Sequence, residues 1–172
     1  MVGLQLMRLI ERHSDQLAEG LTERLQTGER THDFRNISPE ELRQSTAELY
    51  RHLGEWILRK TEVDIEQRFR AIAIRRFHQG IGAHQFAWAI IMSRTHLWHF
   101  LRSNSFADTI LELYGEMELQ EKLNQFFDMA LYYAMLGFED ARYEEAAKYQ
   151  PAKPEHHPAK TKRRRIVFSR KR

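Results

Sequence analysis

The sequence predicts an all-α fold: a single bundle of about five to six helices over residues 1–145, followed by a basic tail over residues 146–172. Three observations carry this. Apolar residues recur three and four apart from Leu6 to Ala141, the spacing of one helix face. Only eight Gly and four Pro punctuate 172 residues, too few for the turns of an all-β domain. Residues 62–103 form two apolar helical patterns joined by Gly80-Ile81-Gly82, and the second carries Phe86, Trp88, Ile90, Ile91, Met92, Leu97, Trp98, Phe100 and Leu101. Those side chains cannot share one stripe, so this helix must be wrapped by others.

The first helix is expected over residues 2–27, where Leu6, Leu9, Ile10, His13, Leu17, Leu21 and Leu25 keep helical spacing, and it ends near Gly28. Residues 29–37 are polar. Ser38-Pro39-Glu40-Glu41 then supplies an N-cap Ser, a Pro at the first helical position, and a Glu placed to return a hydrogen bond to the cap. The helix it starts buries Leu42, Leu49, Leu53, Trp56 and Ile57 and ends near Lys60 or Thr61. Gly54 inside it costs about 1 kcal/mol relative to Ala unless another backbone approaches there. In the next helix Ile65, Phe69, Ile72 and Ala73 share a face, and Arg68, Arg70, Arg75 and Arg76 read as a solvated face paired with the acidic body.

After the central pair, Arg102-Ser103-Asn104-Ser105 reads as a break with Ser105 as a cap. The pattern then stays helical to about residue 145, a length of ~60 Å if unbroken. Either Gly115 interrupts it or its C-terminal part projects. Phe126, Met129, Tyr132 and Tyr133 widen its apolar stripe, which predicts contacts beyond its own domain.

The absence of cysteine excludes disulfides, thiolate zinc sites and thiol nucleophiles, and fits a reducing compartment. Arg8, Glu11 and Arg12 interrupt the start before a signal-like apolar run develops, and no window reaches the ~20 apolar residues of a membrane span. A cytoplasmic protein is expected. The net charge of +3 hides an asymmetry: residues 146–172 hold ten Lys or Arg against one Glu, +9, which leaves −6 on residues 1–145. The tail, with Pro151, Pro154 and Pro158, cannot form a core and is expected to be a disordered linker ending in a polycation.

Several stretches resemble the N-terminal sensor domain of stressosome RsbR-type and RsbRD-type co-antagonists. They are Met7-Arg8-Leu9-Ile10-Glu11-Arg12-His13 with Leu17, Ser38-Pro39-Glu40-Glu41-Leu42, and Arg76-Phe77-His78-Gln79-Gly80-Ile81 leading to Arg94-Thr95-His96-Leu97-Trp98-His99-Phe100-Leu101. The late run Phe126-Phe127-Asp128-Met129-Ala130-Leu131-Tyr132-Tyr133 with Gly137-Phe138-Glu139 is similar to that family's closing helix. The resemblance covers roughly residues 6–141. It implies a globin-like, non-haem, bacterial sensor domain that dimerises and regulates a stress-response kinase. In that family an output domain of the sulfate-transporter/anti-sigma-antagonist type follows. Residues 146–172 show no βαβ pattern, so output is expected through a separate signalling protein.

The histidines are the only candidates for chemistry. His84, Trp88, Met92, His96 and His99, spaced four, four, four and three, form a stripe able to line a ligand pocket or a helix interface. His96 and His99 have chelate spacing, yet no carboxylate or thiolate partner is visible, and no single His stands out as a haem ligand. No phosphate loop, Ser-His-Asp order or paired-carboxylate motif appears, so no catalysis and no cofactor are expected. Two function classes follow. One is a sensor or adaptor that forms a homodimer through its C-terminal helix and passes a signal to a partner. The other is a helical platform whose tail, through Lys160, Lys162, Arg163, Arg164, Arg165, Arg170, Lys171 and Arg172, binds nucleic acid or anionic membrane.

Overall fold

A computed structural model describes residues 2–104 and 110–148. Ser105 and the tail from residue 149 lie outside the described residues. The chain runs α1 (Val2–Arg12), α2 (Ser14–Thr27), a 3-10 segment (Glu29–Asn36), α3 (Pro39–Arg51), α4 (Leu53–Leu58), α5 (Glu62–His78), α6 (Ala83–Asn104) and α7 (Ile110–Lys148). The all-α expectation is met, and no described helix is long and apolar enough to cross a membrane.

The described residues hold seven α-helices, more than the expected five to six, because two expected helices are each broken at one residue. At His13 (φ −102, ψ 17) the backbone N–H is shared between the Leu9 and Ile10 carbonyls, both at 3.1 Å, and the ring Nδ1–H donates to the Leu9 carbonyl at 2.9 Å. His52 adopts nearly the same conformation (φ −111, ψ 17). Apolar spacing passes through both kinks, so periodicity alone does not register them. The second kink turns α4 against α1. There the Gly54 N–H, freed at a new helix start, donates to the Glu11 carboxylate at 3.1 Å. A Cβ on Gly54 would stand 2.7 Å from that carboxylate and 3.0 Å from Met7 Cγ, so what approaches the glycine is α1 side chains, not another backbone.

The capping signals behave unequally. Ser38 Oγ accepts the Glu41 N–H at 3.2 Å, but the Glu41 carboxylate turns away from the cap, so the expected reciprocal box is half formed. The complete capping box lies at Thr61 and Asp64, which start α5.

The core is built on α5 against α7. Ala130, Ala134, Gly137 and Ala141 repeat at helical spacing on the buried side of α7, and a Cβ on Gly137 would lie 2.7 Å from the Arg70 carbonyl and 2.8 Å from Ala73 Cβ. Small side chains there let the two backbones meet. Around this seam Phe126 packs edge-on to Phe69 (centroids 5.8 Å) and Phe138 to Phe77 (6.2 Å), while the Tyr133 hydroxyl donates to Glu62 at 2.6 Å. Phe126, Phe127 and Phe138 are therefore consumed by the domain's own core, and of the residues expected to widen the stripe only Tyr132 is exposed. The helix α7 passes Gly115 without a break. Its 39 residues span about 58 Å, crossing α1 at Gly3 near its start. As expected, α6 is wrapped, with α1, α2, α5, α7 and the 3-10 segment all packed on it.

Gly137→Ala should destabilise the domain by about 2 kcal/mol, because the methyl meets backbone that cannot yield without parting the two helices. Urea unfolding measures it, and an unchanged midpoint would show that the seam is not tight.

Candidate functional site

The helix α6 is aimed by the turn that precedes it. Gly80 takes φ +81, a left-handed conformation that suits glycine. Its N–H donates to the Phe77 carbonyl at 2.9 Å and the Ile81 N–H to the Arg76 carbonyl at 3.0 Å, the paired bonds of a Schellman motif. At the start of α6 the Asp33 carboxylate accepts the Gly82 N–H (3.3 Å) and the side-chain amide of Gln85. Gln85, only 2% exposed, accepts the Asp33 N–H at 2.9 Å in return. The polar 3-10 segment is thus tied to α6 by a reciprocal pair.

This arrangement divides the predicted stripe. His84 is exposed beside Gly82, and Trp88 is half-buried with the Arg30 guanidinium 4.6 Å from its ring centre. Met92 packs partly against the core. One turn further His96 and His99 reach α2, where with Leu17, Gly20, Arg24 and Phe100 they line an open cleft of about 500 Å³. His96 is half-buried, and its Nε2–H donates to the Leu17 carbonyl at 3.1 Å. Gly20 makes room for the ring, since a Cβ there would lie 3.3 Å from His96 Cε1. His96 Nδ1 is buried with no hydrogen-bond partner. Burial lowers the His96 pKa from its ordinary 6.5, the Arg24 and His99 charges lower it further, and the Leu17 carbonyl opposes them. His99 is exposed. Among the described residues no three His or carboxylate groups gather as metal ligands. The stripe meets the 3-10 segment at Trp88 and α2 at His96, and its last two histidines share a cavity.

A second cluster escaped the sequence reading. Arg76, expected on a solvated face, is only 4% exposed. Its guanidinium donates to Glu41 at 2.7 Å and to the Gln79 side-chain oxygen at 2.6 Å, while the Gln79 amide and Arg75 also reach the Glu41 carboxylate. The signal was present: Ile65, Phe69, Ala73 and Arg76 continue one face at spacings of four, four and three. The Gln79 hydrogen bond, then those of Arg76 and Arg75, hold Glu41 at a pKa of about 2 against the ordinary 4.5, with burial opposing them. The Arg68 guanidinium likewise lies 4.9 Å over Trp56 and is largely covered, which leaves Arg75 as the one exposed member of the run.

Two pH effects follow. The lowered Glu41 pKa gives stability that is present above about pH 4.5 and is lost as pH falls toward 2. Glu41→Gln should remove that acid slope and cost about 2–4 kcal/mol at pH 7 by leaving Arg76 without its carboxylate, both read by urea melts against pH. The lowered His96 pKa means that the unfolded chain takes up a proton first, so stability declines as pH drops below 6.5. His96→Gln should flatten this decline, and a decline of unchanged steepness would assign it to another group.

The sequence model of the RsbT co-antagonist protein rsbRD N-terminal domain matches residues 9–150, which span all the described helices except the first seven residues of α1. Neither a curated protein nor a solved structure matches the chain. The matched segment holds the Schellman turn, the Glu41 cluster and the α5–α7 seam, and it stops before the polycation. The chain belongs to the family of RsbT co-antagonist rsbRD N-terminal domains, a family of stress-signalling regulatory domains.

Proposed function

We propose that this chain is a non-catalytic sensor-like module, residues 1–145, that acts in stress signalling by forming a homodimer and engaging a separate signalling protein. Family membership is the observation that carries this reading. The dimer has a specific support. Leu113 and Met117, one turn apart on α7, are 51% and 55% exposed, and Tyr114 and Leu4 are also exposed near the α1–α7 crossing. Large apolar side chains grouped at one end of a domain suit a self-complementary two-fold contact. The His96–His99 cleft is the proposed place where a small ligand or a partner side chain would bias the α2–α6 packing.

Light scattering should find a dimer at tens of micromolar, and Leu113→Asp with Met117→Asp should weaken it at least tenfold, about 1.4 kcal/mol. A monomer at that concentration would sink the dimer.

The division of charge favours a second reading, in which residues 160–172 bind nucleic acid or anionic membrane while the acidic body repels it. Binding to duplex DNA should then fall with salt at a log-log slope of about −0.9 per phosphate neutralised, with poor sequence preference. The full chain should bind and a chain ending at Tyr149 should not. Equal binding by both would remove the tail from the function.

A further inference from the structure

The outer side of α7 carries a surface that lies apart from the proposed dimer and that the core reaches through Leu136. Tyr132, Leu136, Glu139 and Tyr143 follow at spacings of four, three and four, so they form one stripe along the last turns of the helix. Tyr132 and Tyr143 are 60% and 76% exposed. Leu136 is half-buried between them, and Glu139 is exposed and makes no ion pair among the described residues. The two open phenol rings lie about 16 Å apart along the axis with the carboxylate between them, so the stripe matches a run of cations, with guanidinium or ammonium groups stacking on the rings and another bonding to the acid.

We propose that this stripe is the docking surface of the chain's own basic tail, whose residues 160–165 fold back along α7. Three facts select that occupant. The first is charge: residues 146–172 carry +9 and the rest of the chain −6, so the body as a whole attracts the tail and repels a polyanion, and Glu139 gives the stripe a negative charge of its own. A second copy laid on it in two-fold fashion would bring acidic helix against acidic helix.

The second fact is reach. The described helix runs to Lys148 and the first tail lysine of the cluster is Lys160, so residues 149–159 lie between them. Eleven residues span at most about 36 Å extended, and about 34 Å as a proline-rich extended chain. Glu139 and Tyr132 lie nine and sixteen helical residues before Lys148, about 14 and 24 Å. The connection therefore spans the distance without being far too long for it. The third fact is tethering. A short linker whose reach exceeds its span holds the tail near millimolar effective concentration, which lets individually weak contacts persist.

This inference goes beyond the dimer reading, and it makes the stripe a competitor of any polyanion for the tail. The test is zero-length carbodiimide cross-linking of the full chain at low salt, using an equal mixture of unlabelled and 15N-labelled protein. Lys160 or Lys162 should join Glu139 by an amide bond within one chain, and the product should vanish in 0.5 M salt. Tyr132→Ala with Tyr143→Ala should lower its yield at least threefold. Because both rings are exposed the body should keep its fold, which its urea melt checks. Arg163→Gln, Arg164→Gln and Arg165→Gln together should lower the yield likewise without touching the body. Links only between labelled and unlabelled chains would make a second copy the occupant and overturn the proposal. So would links spread evenly over carboxylates such as Asp15, Glu40 and Glu55, or no links at all.

Discussion

The close approach of α5 and α7 is the constraint on which the rest of the domain depends. Gly137 and Ala73 let the two backbones meet, and the large side chains then fill the spaces to either side, Phe69 with Phe126 and Phe77 with Phe138. Protein interiors are packed too densely to absorb an added carbon at such a point. Once α5 is seated, its end sets the start of α6. The Schellman bonds at Gly80 and the Asp33–Gln85 pair fix the direction in which α6 leaves. That direction brings His96 onto α2.

The Glu41 cluster applies the same logic with charge. A guanidinium as covered as Arg76 is costly to remove from water, and one carboxylate shared with Gln79 and Arg75 offsets the cost. Helix dipoles help. Glu41 stands in the first turn of α3, where negative charge is favoured, and Arg75 and Arg76 in the last turn of α5, where positive charge is. The cluster locks α3 to the end of α5, so the turn into α6 is held from both sides. At the other end of α6 the contact with α2 is made by the half-buried His96 on the Leu17 carbonyl.

For a regulatory domain this distribution is useful. One side is tied by the Glu41 cluster, one cleft contains a buried nitrogen without a partner, and the ends of the longest helix present different surfaces, apolar at Leu113 and Met117, aromatic and acidic at Tyr132 to Tyr143.

Much of this was legible in the residues. Helical spacing, scarce Gly and Pro, the Ser38-Pro39 start and the all-round apolar α6 determined the fold class, most helix boundaries and the wrapped centre, because these depend on local backbone preference and on hiding apolar area. The resemblance around Arg76 to Ile81 led to the family. What only the tertiary structure decided was where side chains with two uses go. Glu41 had the spacing of a capping box but left the cap for Arg76, since a nearby buried cation holds a carboxylate more strongly than a solvated backbone N–H does. Arg76 looked like surface because it is charged, though its spacing placed it on the buried face. The kinks at His13 and His52 left no trace in apolar period, and the His84 to His99 stripe divided because its two ends meet different neighbours. Periodicity states which face is covered; only the assembled chain states by what.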